Sequence, residues 1–255
     1  MQAKKSLGQH FLMHARIAER IAHVANLPLD ATVLEIGPGT GILTRELLKR
    51  AKKVVAVEAD GELYERLKTN FASDITSDKL ELVHEDIRTF DLKHLPHPYI
   101  VVANIPYYLT GELFRMFLEA ENQPSSMTFL VQKEVAERIA RDKKGSILSL
   151  SVKAYGMPKY EFSVPRGAFR PAPKVDSAVL SIRDISRKNF PSREAEKRFF
   201  RLLHVGFAHK RKFLRSNLSA EGLPTGGIPE KARAEDVSLQ TWLSLAHENP
   251  AGHVH

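Results

Sequence analysis

The chain has 255 residues, 43% hydrophobic and 27% charged, with a formal charge of +8 and no cysteine. That length can bury a substantial core, and the lack of cysteine excludes a disulfide framework, a thiol nucleophile and a Cys-based zinc site. No apolar run reaches the ~18 residues of a membrane helix.

The N-terminal MQAKKSLGQHFL lacks the apolar core of a secretory signal, so a cytoplasmic protein is expected. Strand-length apolar runs then follow at 31–37, 52–58, 80–86, 99–104 and 126–132. Between them, "GILTRELLKRA" (41–51), "DGELYERLKTNF" (60–71) and "TGELFRMFLEAE" (110–121) carry apolar residues at helical spacing. The alternation predicts a parallel sheet covered by helices, a doubly wound α/β fold. A further helix is expected from Gln132 to about Arg141, then strand-like pieces at 146–155, 158–164 and 175–183. Beyond "RDISRKNFPSR" (183–193) only helical patterns remain, at 194–207, 210–218 and 237–246. Two domains are therefore expected, 1–185 and a small all-helical 186–255. The second carries 12 Lys and Arg against 7 Asp and Glu, a net +5 of the total, which suggests a polyanionic partner.

"LEIGPGTGIL" joins the first long strand to its helix, and Gly37, Gly39 and Gly41 form a G-x-G-x-G turn against which a ligand can lie. A dinucleotide fingerprint needs Gly or Ala at position 42, which is Ile42, and the turn lacks the lysine of a phosphate loop. Glu58 ends the next strand and is placed to accept from both hydroxyls of a ribose. Asp86 ends the one after and is placed to accept from an adenine amine. Either acid alone reads more readily as a helix N-cap or a solvated turn residue. With the glycine turn, they point to an adenosine-containing ligand at the carboxyl ends of the strands. Glu35, the G-x-G-x-G turn and the two acids together resemble the S-adenosylmethionine-dependent methyltransferases.

The fourth strand runs into "NIPY". An exocyclic amine is a poor nucleophile, because its lone pair is delocalised into the base. The side-chain oxygen of Asn104 and the carbonyl of Ile105, held by Pro106, can grip its hydrogens and aim the lone pair. Tyr107 offers a face for the base, worth ~1–3 kcal/mol. The methyl group is already activated, so positioning carries most of the rate. Tyr108 is expected to be packing.

N-[I/L]-P-Y is the motif of adenine N6-methyltransferases. With "KKSLGQHFL" (4–12), "LVQKEVAERI" (130–139), "AFRPAPKVDSAV" (168–179), "FAHKRKFLRSNL" (207–218) and "RAEDVSLQTWLSLA" (233–246), the chain resembles the small-subunit ribosomal RNA adenine dimethyltransferases of the KsgA type nearly end to end. The resemblance implies a Rossmann-like catalytic domain with a helical domain that binds RNA. It also implies S-adenosyl-L-methionine as cofactor, and the immature small subunit as partner. The implied activity is N6,N6-dimethylation of two adjacent adenosines in the 3′-terminal hairpin loop. His10, Leu12, Gly37, Glu58, Asp86 and Asn104 would bind cofactor or target, although many relatives carry Asn at the His10 position. Phe169 would sandwich the base opposite Tyr107.

Arg166, Arg170, Lys210, Arg211, Lys212 and Arg215 are candidates for phosphate contacts. A monomer is expected, with no metal and no membrane partner. The histidines form no H-E-x-x-H, and His253 and His255 are expected in a frayed tail. The competing readings are a large-subunit methyltransferase of the resistance type and an assembly factor that binds immature small subunits without needing methylation.

Overall fold

The computed structural model describes residues 9–247. Residues 4–8 of the N-terminal motif, and His253 and His255, lie outside the described residues. The chain divides into two compact units, and neither is a single stretch of sequence.

The first unit, described over 9–137 and 158–185, contains a seven-stranded sheet. In chain order its elements begin with β1 (Phe11–Leu12), α1 (Ala15–Val24), β2 (Thr32–Ile36), α2 (Ile42–Leu48), β3 (Lys53–Glu58), α3 (Gly61–Asn70), α4 (Ala72–Thr76) and β4 (Leu80–His84). They continue with β5 (Ile100–Asn104), α5 (Thr110–Glu119), β6 (Ser126–Gln132) and α6 (Lys133–Ala140), whose last turn falls in the second unit. After α7 (Ile147–Tyr155), which belongs to the second unit, come β7 (Met157–Val164), β8 (Phe169–Arg170) and β9 (Ser177–Arg183).

The sheet order is β4-β3-β2-β5-β6-β9-β7, with β2 to β6 parallel and β9 antiparallel to β6. The chain leaves β2 toward β3 and β4, then returns to the other side of β2 with β5. Strand order therefore reverses between β2 and β5, where a crevice opens at the carboxyl ends of an α/β sheet. Val33, Leu34, Val54, Ala56, Val101, Val102, Phe129 and Leu130 are completely buried, as expected of strands covered on both faces. A separate two-stranded sheet pairs β1 with β8, Leu12 opposite Phe169.

The glycine turn enters α2 through left-handed backbone at Gly39 (φ 59°) and Gly41 (φ 78°). A Cβ on Gly41 would also lie 2.5 Å from the Phe71 ring, so this glycine serves packing as well as the turn. Asp60 caps α3, its side chain accepting from the N–H groups of Glu62 and Leu63.

The second unit, described over 138–157 and 186–247, is built from α7, α8 (Arg193–Ala208), α9 (Leu214–Ser219) and α10 (Leu239–His247). Residues Ile147–Tyr155 thus form a helix where a strand-like piece was expected over 146–155. Ser146 and Ser149 make reciprocal side-chain to backbone bonds, a capping box that starts α7. Residues 138–157 group with this unit, so the linear division at 185 and 186 leaves out part of it. Within it, Tyr155 donates to buried Glu196 at 2.5 Å, and Arg187 and Arg193 pair with the same carboxylate. Gly206 on α8 lies against Trp242 of α10, and the Asn217 amide donates to the Gly206 carbonyl.

Candidate active site

A cavity opens in the first unit at the carboxyl ends of β2, β3 and β5, walled also by residues 9–12 and by the loop after β4. Its lining includes His10, Leu12, Gly37, Gly39, Glu58, Asp86, Asn104, Ile105, Pro106 and Tyr107. Of the cofactor and target residues expected from sequence, two are not on this wall. Gly41 stands behind it, against Phe71.

Phe169 is the other. Its pairing with Leu12 turns it into the hydrophobic core, where it is 5% exposed, and it is not part of the cavity lining.

Glu58 joins three pieces of the site. Its Oε2 accepts from the Gly39 N–H at 3.0 Å and its Oε1 from the Asp60 N–H at 2.9 Å, so one carboxylate ties the glycine turn to the start of α3. Each oxygen keeps a lone pair for a diol. Burial raises the Glu58 pKa against the lowering effect of those two bonds.

Asp86 is held differently. Arg88 donates to it from its backbone N–H, from Nε and from Nη2, the last at 2.5 Å, and this pairing lowers the Asp86 pKa. An amine approaching Asp86 must share it with Arg88, which also lines the cavity. Arg88 was not among the residues expected from sequence; its place two residues after Asp86 is the signal that could have found it.

Asn104 has its amide orientation set by chemistry. Its Nδ2 donates to the backbone carbonyl of His10 at 3.1 Å, a group that can only accept, so Oδ1 is the atom left to receive a hydrogen bond. The His10 ring stacks on Tyr107 with centroids 5.7 Å apart, and its Nδ1 donates to the Pro171 carbonyl at 2.8 Å. Tyr107 is fixed at its far end by a 2.6 Å bond between its hydroxyl and that of Ser177.

Two cavity residues were given no contact of their own from the sequence. Glu35 lies in the central strand between Ala56 and Val102, 1% exposed, with its Oε2 unpartnered. Burial, with a smaller push from Glu58, raises its pKa to about 8; Thr44 offsets this in part without reaching hydrogen-bond geometry. Tyr108, expected to pack, is instead 59% exposed and lines the cavity.

The cationic candidates are dispersed. Arg166 and Arg170 are exposed on the first unit, and the Arg166 N–H donates to Asp176. Lys210, Arg211 and Lys212 are exposed in a turn preceding α9, rather than in the longer helix their sequence suggested. Arg215 is exposed but donates to the Ile228 carbonyl at 2.7 Å. Among the described residues no cluster of three or more His, Asp or Glu is arranged to hold a metal ion, and no helix is long and apolar enough to cross a membrane.

A doubly wound sheet whose crevice gathers a glycine turn, strand-end acids and N-I-P-Y is of the Rossmann-like methyltransferase class. The solved structure of the 23S rRNA methyltransferase ErmE matches it with a TM-score of 0.76 and 28% identity over 92% of this chain and 98% of that one. A dimethyladenosine transferase from Plasmodium falciparum shares the fold at TM-score 0.78 and 24% identity, covering 92% of this chain and 96% of its own. The model of the ribosomal RNA adenine dimethylase family matches residues 1–249. Ribosomal RNA small subunit methyltransferase A of Dehalococcoides mccartyi is 40% identical over 97% of this chain and 89% of its own length; that of Fusobacterium nucleatum is 36% identical over 95% and 96%. The chain belongs to the ribosomal RNA adenine dimethylase family, whose methyl donor is S-adenosylmethionine. The donor set suits that ligand: acceptors for a diol and an amine, and an unpartnered buried carboxyl beside a cavity that would receive a cation.

Proposed function

We propose that this enzyme dimethylates N6 of two adjacent adenosines in the 3′-terminal hairpin loop of small-subunit rRNA, acting in the cytoplasm as a monomer on the immature subunit. The observation that carries the reading is Asn104, whose Nδ2 is tied to His10 so that Oδ1 remains for the target amine beside Tyr107. The small-subunit substrate is supported by relatives of that name at 33–40% identity along nearly the whole chain.

In this reading Gly37 and Gly39 give the cofactor a close backbone approach, Glu58 accepts from its ribose and Asp86 from its adenine amine. His10 and Leu12 cover it. When bound, S-adenosyl-L-methionine supplies a methyl group already activated by its sulfonium. Asn104 Oδ1 and the Ile105 carbonyl then hold the target amine and turn its lone pair toward the cavity, while Tyr107 stacks the base. The loop substrate suits this chemistry, because an unpaired base can be splayed out without opening a duplex. The helical unit, with Lys210, Arg211, Lys212 and Arg215, and the first unit's Arg166 and Arg170, contribute phosphate contacts.

Labelled S-adenosylmethionine offered with undermethylated small and large subunits tests the substrate. Label confined to small-subunit RNA is expected. Label on large-subunit RNA alone would transfer the reading to that substrate. Tight small-subunit binding without label would make the protein an assembly factor.

A further inference from the structure

We propose that Tyr108 and Arg88 form a second nucleotide subsite at the mouth of the cavity, which takes the nucleotide next to the target adenosine. The inference rests on the reading of the cavity as an RNA adenine methylation site.

Among the described residues, Tyr108 is the only large hydrophobic side chain that is both exposed and on the cavity wall; Met13, Leu29, Met157, Val175 and Phe213 are exposed elsewhere. Its backbone is held. It lies in a single 3-10 turn, Tyr107–Leu109, closed by the Leu109 N–H to the Pro106 carbonyl at 3.0 Å and by the Thr110 hydroxyl to the Tyr107 carbonyl at 2.9 Å. Side chains one residue apart in such a turn point about 120° apart. Tyr107 accordingly reaches inward to Ser177, while Tyr108 remains 59% exposed, and no hydrogen bond engages its hydroxyl among the described residues. An exposed ring held this way costs the protein apolar hydration and returns no packing, which is the arrangement of a stacking platform.

Arg88 provides the second half of the subsite. Its guanidinium is half exposed and commits only Nε and Nη2 to Asp86, which leaves donors for a phosphate oxygen. Arg88 and Tyr108 both line this cavity, and Glu112 acts on the guanidinium through its charge. Glu112 opposes a phosphate here, and its removal should tighten RNA binding. Together Tyr107 and Tyr108 give successive nucleotides different addresses, one base inside the cavity and its neighbour on the rim. A dimethylase that modifies neighbouring adenosines would then hold one of them while it modifies the other.

The test is steady-state methyl transfer to undermethylated small subunits by wild type, Tyr108→Ala, Tyr108→Trp and Glu112→Gln, with cofactor affinity measured in parallel by calorimetry. Tyr108→Ala is expected to raise the RNA KM about tenfold, within the range of a lost base stack, with kcat and cofactor affinity unchanged. Tyr108→Trp should restore wild-type KM, and Glu112→Gln should lower it. An unchanged KM in Tyr108→Ala overturns the subsite while leaving the methyltransferase reading intact. Loss of cofactor affinity in the same variant assigns Tyr108 to the cofactor or to packing, and also overturns it. Wild-type protein that transfers nothing to these particles overturns the reading and the subsite together.

Discussion

Glu35→Gln should make the cofactor-free protein progressively more stable than wild type as the pH rises. The unfolded chain releases the Glu35 proton near its ordinary pKa of 4.5, whereas burial holds it in the folded protein to about 8. Between those values the folded state binds more protons, so wild-type stability falls with rising pH. The loss assignable to this one group grows from under ~1 kcal/mol at pH 5 to on the order of 3 kcal/mol at pH 7. Glutamine keeps the shape and cannot ionise. Its amide brings a pH-independent cost of its own, on the order of 1–3 kcal/mol if a donor goes unpaired. The informative quantity is therefore how the stability difference changes with pH. Urea unfolding of both proteins should show the gap shifting toward Gln by roughly 2–3 kcal/mol from pH 5 to pH 7. A gap that stays constant would refute the reasoning, because it would mean that Glu35 ionises alike in the folded and unfolded chains.

Asn104→Ala should abolish methyl transfer and largely spare cofactor affinity; equal loss of both, read by calorimetry and label incorporation, would remove the role given to its Oδ1. In Glu58→Gln the new amide must point its N–H donors at either the Gly39 or the Asp60 N–H. Cofactor affinity should drop tenfold or more, a loss of ~1–3 kcal/mol, measurable by isothermal titration. Gly206→Ala in the helical unit would bring a methyl to 2.5 Å from the Trp242 ring and 2.7 Å from Leu214. It should cost ~1–3 kcal/mol of stability in thermal unfolding, and a neutral result would show that α8 and α10 pack less closely.

Much of this geometry could be read from local pattern. Apolar runs ending in Glu58 and Asn104 mark strands buried on both faces, the run before Asp86 forms the half-exposed edge strand β4, and strand ends are where such a sheet binds ligands. Residues 146–155 misled because Ser alternating with Leu imitates the period of a strand, while the deciding feature was reciprocal capping by Ser146 and Ser149. The burial of Phe169 and the exposure of Tyr108 were illegible for another reason. The burial of the first depends on the pairing of β8 with β1, far apart in sequence, and the exposure of the second on the direction of one 3-10 turn. Neither a long-range register nor a turn direction leaves a compositional trace. The buried state of Glu35 is similar, since it follows from Ala56 and Val102 flanking it in the assembled sheet.

The central claim concerns the chemistry of the cavity, and the mass of the modified nucleoside tests it most directly. Small-subunit RNA treated with the enzyme and S-adenosylmethionine, digested and mapped by mass spectrometry, should contain N6,N6-dimethyladenosine at two neighbouring loop positions. Methyl groups on another base, or on ribose, would contradict the account, because Asn104 and Tyr107 would then not be holding an adenine amine.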